Sequence, residues 1–204
     1  MKNATKHAEE LRSIFKRLLK EHKPETSDPQ EPLRALVRGA MSYDVPDAKA
    51  ADAVKAIERE FVDLNEFRVA TDLEIQELLG TRYPQIEKRV AMITLSLNNI
   101  FEREHTLSLD RLKTIAKKDA RQFLRDLPEI NPFVEAYVML FAFEGHATPV
   151  DNEMVAALID EDILDEGTSV EDAQKFIEHN IKADEAADMY ACLRKLAFGG
   201  KRKK

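Results

Sequence analysis

The chain is poor in the residues that build covalent or metal-bound frameworks. Its 204 residues include six glycines and a single cysteine, Cys192, and there is no tryptophan. One cysteine forms no internal disulfide, and it is too few for a cysteine-based zinc site or an iron–sulfur cluster. This cysteine count fits a reducing, intracellular setting.

Apolar runs long enough to cross a membrane are missing as well. A spanning helix needs ~20 consecutive apolar residues, and no segment of this sequence approaches that length. Residues 1–23 are charged throughout and contain no apolar core of the kind found in signal peptides. We therefore expect no membrane association and no export.

Common catalytic and metal-binding motifs are also missing. The five histidines do not occur at the H-x-x-x-H or H-E-x-x-H spacing that places two imidazoles on one helix face. The sequence has no glycine-rich phosphate loop and no G-x-S-x-G nucleophile motif. We predict no metal site and no cofactor.

Charge is distributed unevenly along a chain whose formal net charge is −7. Residues 151–188 hold 13 acidic and 2 basic residues, so the rest of the chain has a net charge of +4. Basic residues gather in 2–23, in 111–125 and in the tail 201–204, which we interpret as a solvated end. This division permits a basic face on an acidic protein, and it makes the acidic segment 151–188 a candidate surface for a protein partner.

The apolar pattern predicts an all-α fold. Apolar residues recur at three- and four-residue spacing, and no stretch alternates strictly between apolar and polar residues. Thr71 with Glu74, and Thr168 with Glu171, have the spacing of capping boxes at helix starts. The clearest of the long helices, 84–102, has an apolar stripe typical of a core helix. The predicted helices cover 4–22, 31–42, 47–61, 72–79, 84–102, 108–117, 119–126, 132–144, 152–160, 169–180 and 183–197.

A tight turn joins two of these predicted helices at residues 127–133, Leu-Pro-Glu-Ile-Asn-Pro-Phe. Asn131 before Pro132 combines a good N-cap with a residue suited to the first helical position. The start of the second helix presents backbone N–H groups and the positive end of the helix dipole, which suit a phosphate group.

Five basic residues approach this turn along the chain, four of them at successive four-residue steps: Lys113, Lys117, Lys118, Arg121 and Arg125. On a continuous helix they form a positive stripe that neutralises several nucleic-acid phosphates. A solvated helix face beside acidic neighbours is the alternative interpretation.

The turn and its surroundings resemble a known family. Residues 127–133 resemble the hairpin of the endonuclease III (HhH-GPD) superfamily of DNA glycosylases, written L-P-G-V-G-R-K-T-A, or L-P-G-I-G-P-Y-T-A in members without lyase activity. Residues 142–151, which end in Val-Asp, are similar to the family segment that ends in V-D-T-H. Residues 39–44 resemble S-A-Q-T-T-D, and residues 78–90 resemble I-G-x-Y…K-A-x-x-I. The matches follow the family's order over roughly residues 30–198.

The resemblance implies a catalytic carboxylate and a set of DNA contacts. Asp151 matches the aspartate that stabilises the cationic sugar when the glycosidic bond breaks. Asp151 also precedes a predicted helix, and a plain N-cap is the alternative interpretation. The predicted DNA-binding residues are Met41, Lys117, Lys118, Arg121, Arg125, Ile130, Asn131 and Phe133.

Several positions depart from the family pattern. Phe133 stands where bifunctional members have the lysine that forms a Schiff base, so the resemblance implies no lyase chemistry by that route. Phe133 does match the aromatic position of the monofunctional pattern. Glu129 and Asn131 replace the two hairpin glycines, and Met41 replaces a glutamine on the lesion side. The four cysteines of the family's cluster have no counterpart here.

The resemblance implies a two-lobed, all-α fold of the DNA-glycosylase type with a degenerate helix–hairpin–helix. Residues 37–144 would form a helical barrel that ends in the hairpin. Residues 1–36 and 145–204 would form a discontinuous second lobe. Asp151, Met41 and the hairpin are expected at a cleft between the lobes.

The function implied is base-excision DNA repair by a monomer that binds double-stranded DNA, damaged or intact. Two hypotheses stay open. The first is a monofunctional glycosylase that uses Asp151, and the second is a catalytically inactive descendant that binds DNA or a protein partner. We expect the protein in the cytoplasm or associated with the nucleoid.

Overall fold

The computed structural model describes residues 4–22 and 29–200, and this part of the chain contains helices and no β-strand. The predicted all-α class is confirmed. Residues 1–3 and 23–28 and the basic tail, 201–204, lie outside the described residues. The α-helices are α1 Ala4–Glu21, α2 Pro32–Ser42, α3 Asp47–Glu60, α4 Leu64–Val69, α5 Asp72–Leu79, α6 Ile86–Glu104, α7 Lys117–Arg125, α8 Pro132–Phe141, α9 Asn152–Asp160, α10 Val170–Asn180 and α11 Ala186–Phe198.

The capping chemistry explains where these helices begin. The capping box of α5 is confirmed, because Thr71 accepts a hydrogen bond from the Glu74 N–H and the Glu74 carboxylate accepts one from the Thr71 N–H. The box predicted at Thr168 is wrong. Helix α10 begins one residue later, so Ser169 is its N-cap and accepts from the N–H of Asp172 at 3.1 Å.

The helix predicted over 108–117 is also wrong. This segment contains a short 3₁₀ helix, Asp110–Thr114, followed by extended backbone at Ile115 and the start of α7 at Lys117. The Ser108 hydroxyl accepts a hydrogen bond from the Asp110 N–H at 3.1 Å and donates one to the Asp110 carboxylate at 3.0 Å. Such local side-chain bonds compete with α-helical hydrogen bonding. The predicted positive stripe is therefore divided between two elements.

The chain divides into two compact units, which we call the continuous and the discontinuous unit. The continuous unit, Pro29–Glu144, contains α2 to α8. Helix α8 lies at its centre, with every residue of 133–140 buried. The predicted apolar stripe of α6 is buried in the same unit and includes Val90, Ile93 and Leu97.

Helix α2 packs against α8 at close range. A Cβ atom added at Gly39 would meet Cβ of Tyr137 at 3.1 Å. That separation is tighter than normal packing allows, so glycine is the residue that permits this approach. The closeness of the two helices holds the start of α8, and with it the hairpin, against α2.

The discontinuous unit comprises the described parts of Met1–Asp28 and Gly145–Lys204. In it α9 packs against α11, and α1 packs against α10 and α11. Its core side chains are buried and apolar; they include Leu11, Phe15, Leu158, Ile177 and Leu193. None of the helices within 4–22 or 29–200 is long and apolar enough to span a bilayer.

Candidate functional site

The predicted hairpin is formed by α7, α8 and the turn 126–131 between them. Within the turn, the Ile130 N–H donates to the Leu127 carbonyl at 3.4 Å. The Ser96 hydroxyl donates to the Pro128 carbonyl at 3.2 Å, and this bond joins the turn to α6. Glu129 at the tip is exposed and has a φ of 58°.

That φ lies in the left-handed region, which glycine adopts without steric cost and a residue with a Cβ does not. At Glu129 the backbone therefore has a conformation that suits glycine, the residue that the resembling family's hairpin has at this position. Because the side chain is a carboxylate, the turn carries a negative charge next to the N-terminus of α8. The same charge would disfavour a phosphate there.

The residues that follow the tip begin α8 in the predicted way. Asn131 is the N-cap, and its side-chain oxygen accepts a hydrogen bond from the N–H of Val134 at 2.8 Å. Pro132 occupies the first helical position. Ile130 is half-buried. The N-terminus of α8, and with it the positive end of the helix dipole, therefore lies at the turn.

Phe133 lies inside the continuous unit. It is 1% exposed, meets Tyr43 edge to face at 5.5 Å between ring centroids, and stacks on Tyr137 at 6.2 Å. The ring therefore anchors the first turn of α8 to the end of α2. Its predicted contact with DNA stays a prediction.

Met41 is fully buried as well. Its carbonyl oxygen accepts a hydrogen bond from the Tyr83 hydroxyl at 2.8 Å. Arg89, itself buried, donates to the carbonyls of Ala40 and Tyr43 and so satisfies acceptors at the C-terminal end of α2. A contact between the Met41 side chain and a DNA base would require that side chain to leave the protein interior.

Two of the predicted basic contacts share one buried carboxylate. The side chain of Glu135, on α8, is 3% exposed. Its Oε1 accepts from Nε of Arg121 at 2.5 Å, and its Oε2 accepts from Nε of Arg125 at 3.0 Å. Both arginines lie on α7, so the three residues fasten α7 to α8 across the hairpin. The Glu135 carboxylate therefore offsets part of the positive charge of the two arginines within the protein.

The lysines at the start of α7 are more accessible. Lys117 and Lys118 are both exposed. The ammonium of Lys117 also donates to the carbonyl of Phe143. Lys113, further back in the 3₁₀ helix, is paired with Asp110 at 2.6 Å. Most of the positive charge that α7 offers to an anion therefore comes from Lys117, Lys118 and the half-exposed Arg125.

Asp151 lies in the other unit and is 0% exposed. Its Oδ1 accepts from the N–H of Met154 at 2.8 Å, so the predicted N-cap of α9 is confirmed. Its Oδ2 accepts from Nη1 of Arg194 at 3.0 Å. Arg194 is 2% exposed and lies over the ring of Phe198 at 4.3 Å. Both carboxylate oxygens thus hold structural hydrogen bonds.

Glu135 and Arg194 were not predicted from the sequence, although each has a signal. Glu135 interrupts the apolar run of α8, and Arg194 follows Cys192 and Leu193 on the buried side of α11. A charged residue at a core position of an amphipathic helix indicates a buried partner of opposite charge.

Cys192 has no reactive character. Burial raises the pKa of its thiol to about 11, with a smaller contribution from the nearby Asp188 carboxylate. A thiol with such a raised pKa is protonated at neutral pH and is a weak nucleophile. Among the described residues, no group of three or more histidine, cysteine, aspartate or glutamate side chains is arranged to hold a metal ion.

Comparisons with known proteins identify the fold. No protein family profile matches the sequence, and no curated protein sequence matches it either. The structure is similar to that of endonuclease III trapped as a covalent intermediate with DNA, with a TM-score of 0.72 and 13% sequence identity over 92% of this chain and 84% of that one.

Two further glycosylases are similar at nearly the same level. An 8-oxoguanine glycosylase/lyase of Clostridium acetobutylicum, in complex with double-stranded DNA, has a TM-score of 0.71 and 15% identity over 95% of this chain and 70% of that one. A 3-methyladenine DNA glycosylase of H. pylori has a TM-score of 0.67 and 15% identity, with 94% of both chains covered. The predicted DNA-glycosylase-like fold is confirmed.

Proposed function

We propose that this protein binds double-stranded DNA in base-excision repair, with the hairpin of α7 and α8 as its phosphate contact and without lyase activity. The observation that carries the proposal is the hairpin itself. It has a left-handed tip, an Asn-Pro start to α8 and exposed lysines at the start of α7. The DNA-glycosylase fold around it supports the same function.

The hairpin would contact the DNA backbone rather than its bases. Backbone N–H groups and the dipole at the start of α8 favour an anion. Lys117 and Lys118 add charge–charge attraction that does not depend on sequence. Glu129 opposes this attraction, so we expect weaker binding than a hairpin with glycine at that position would provide.

Lyase chemistry requires an amine that forms an imine with the opened sugar. Phe133, at the position of that amine in the resembling family, has no nucleophile and is buried among aromatic rings. This environment supports the absence of lyase activity by the family's route.

Base removal by a water molecule is the second candidate function. The position of Asp151, at the N-cap of α9 and at the end of the matching family segment, favours it. Against it stands the environment of the carboxylate, which is buried and bonded to Arg194 and to the backbone of α9. That environment favours a structural role for Asp151 and a protein that recognises DNA without removing a base.

DNA binding is tested by titrating the purified protein with a duplex that contains a stable abasic-site analogue and with the intact duplex, at several salt concentrations. Lys118→Glu should weaken binding and lower the salt dependence, by about one unit of slope for each lost phosphate contact. Lys175→Glu, an exposed lysine on α10, is the matched control and should leave both quantities unchanged.

Binding that is absent, or that is equally affected by the two substitutions, contradicts the hairpin contact. Preference for the abasic analogue supports lesion recognition. Base release is then measured with a panel of damaged duplexes. Release that is lost in Asp151→Asn, in a protein that still folds, supports the glycosylase, and a lack of release from any duplex supports the binding protein.

A further inference from the structure

Large hydrophobic side chains are exposed on one part of the continuous unit. Val62 is 93% exposed, Val69 is 68% exposed and Leu73 is 65% exposed. They belong to the segment that runs from the end of α3, through α4, to the start of α5. Single exposed apolar residues are ordinary, but three within twelve positions of the chain mark a candidate interaction surface.

One of the three, Val69, lines a groove. It has a volume of about 520 Å³ and is lined by Phe61, Val69 and four glutamates, Glu60, Glu66, Glu74 and Glu77. We call it the acidic groove. Phe61 also lines a neighbouring cavity of about 530 Å³ whose wall includes Val62. The two concavities therefore share Phe61 as a lining residue.

The four glutamates are not neutralised by nearby bases. The carboxylate of Glu66 accepts from the N–H of Val62 at 2.6 Å, and that of Glu74 accepts from the N–H of Thr71 at 2.8 Å. Hydrogen bonds from Thr71 lower the pKa of Glu74, so this carboxylate stays ionised at neutral pH. Within 29–200 and 4–22, no ion-pair partner lies within 4.0 Å of any of the four.

Charge and shape together limit what can occupy the groove. A phosphate backbone is repelled by four carboxylates, so the groove is no DNA contact. A symmetric contact with a second copy would bring the same carboxylates against each other, which is unfavourable as well. A cationic partner with an apolar stripe fits both the negative charge and the apolar lining of the groove. Its apolar side chains would enter the groove and its basic side chains would pair with the glutamates.

We propose that the acidic groove binds a basic amphipathic helix of a partner protein. The apolar face of that helix would pack on Phe61, Val69 and Leu78, which line the groove, and its lysines or arginines would pair with Glu60 and Glu77. This interface is independent of the hairpin and of DNA binding.

The test uses the full chain and a labelled synthetic helical peptide with leucines along one face and lysines along the other. A scrambled peptide of the same composition, whose leucines do not share a face, is the first control. Fluorescence anisotropy should detect saturable binding of the amphipathic peptide and none of the scrambled one. Rising salt should weaken this binding.

Substitutions then locate the site. Glu60→Lys with Glu77→Lys should weaken peptide binding by about tenfold or more, as expected for lost charge pairs at an interface. The matched control, Glu9→Lys with Asp184→Lys, makes the same charge change at exposed positions of the discontinuous unit and should change the affinity less than about twofold. Val69→Ser should weaken binding without unfolding, because the side chain is largely exposed.

Equal effects of the two charge-reversal pairs would overturn the proposal, since the attraction would then be a property of the net charge. Equal binding of the scrambled peptide would also overturn it. So would a dimer in sedimentation experiments that Val69→Ser dissociates, because a second copy would then occupy the surface. DNA binding by these variants should be unchanged, so failure here leaves the proposed function standing.

Discussion

The guanidinium of Arg194 donates a hydrogen bond to Oδ2 of Asp151 at 3.0 Å, and both side chains are buried. The two residues are 43 positions apart, and their bond joins α9 to α11. Removing either charge breaks a buried ion pair, which is costly in a low-dielectric interior. The residue proposed for chemistry is therefore also a structural residue.

Asp151→Asn should lower the free energy of unfolding by about 3 to 5 kcal/mol, the cost typical of breaking a buried ion pair. Asparagine is a good N-cap, so the loss would come from the broken ion pair with Arg194 rather than from the cap. Urea denaturation measures it. A variant with Asp151→Asn and Arg194→Met together should regain part of the loss, because the uncompensated charge is gone.

Asp63→Asn is the control for this substitution. Asp63 is the N-cap of α4 and bonds the N–H groups of Asn65 and Glu66, but it is exposed. Its replacement should cost less than about 1 kcal/mol, since asparagine caps nearly as well. If both substitutions cost the same, the Arg194 bond contributes nothing measurable. Glycosylase assays with Asp151→Asn require this comparison before loss of activity is assigned to chemistry.

Glu129→Gly should raise the free energy of unfolding by about 1 kcal/mol, because glycine relieves the cost of a left-handed φ. Thermal or urea unfolding measures the change. Glu129→Ala keeps a Cβ and should bring no such gain, so it separates backbone strain from charge. In DNA titrations both variants should bind more tightly, since both remove the carboxylate beside the phosphate contact. A gain in affinity for glycine alone would assign the effect to the backbone.

The two arginines held by Glu135 should differ in their contribution to stability. The side chain of Arg121 is 23% exposed and that of Arg125 is 53% exposed. Arg125→Gln should cost at most about 1 kcal/mol, as exposed ion pairs do, and Arg121→Gln should cost more. Glu135→Gln should be the most destabilising of the three, with a loss of about 3 kcal/mol or more. Equal losses in urea denaturation for the two arginine variants would show that burial does not set the strength of these pairs.

Cys192 should be unreactive in the folded protein at neutral pH. Burial raises the pKa of its thiol to about 11, so folding favours the protonated form. The raised pKa of this thiol contributes to the stability of the folded protein. The contribution is complete below the ordinary thiol pKa and is lost as the pH rises toward about 11. The reactivity of Cys192 is measured as its rate of modification by a thiol reagent, with and without urea. Cys192→Ser gives the background rate. Rapid labelling of the native protein at neutral pH would contradict the prediction.

Ser169→Ala should cost about 1 kcal/mol, because it removes the N-cap of α10. Thr168→Ala should cost less, since the Thr168 hydroxyl donates to the carbonyl of Asp165 in the preceding turn and takes no part in the cap. Urea denaturation of the two variants distinguishes them. A larger loss of stability for Thr168→Ala than for Ser169→Ala would instead support the capping box predicted at Thr168.

Local chemistry was predictable where the bonding partners are near in sequence. The capping box of Thr71 and Glu74, the Asn131 cap and the Asp151 cap each need only three residues of spacing, and all are confirmed. The 3₁₀ segment at Asp110–Thr114 was missed because its apolar pattern is helical and the side-chain bonds of Ser108 prevail over it.

The sequence by itself determined the all-α class, most helix positions and the location of the hairpin, because these depend on periodicity and on caps within a few residues. Only the tertiary structure decided which charges are available. Glu135 pairs with Arg121 and Arg125 across the hairpin. Arg194 on α11 pairs with Asp151, which lies 43 positions earlier in the chain. Such pairings depend on how helices pack, and packing forms from burial of apolar surface over the whole unit rather than from any local pattern.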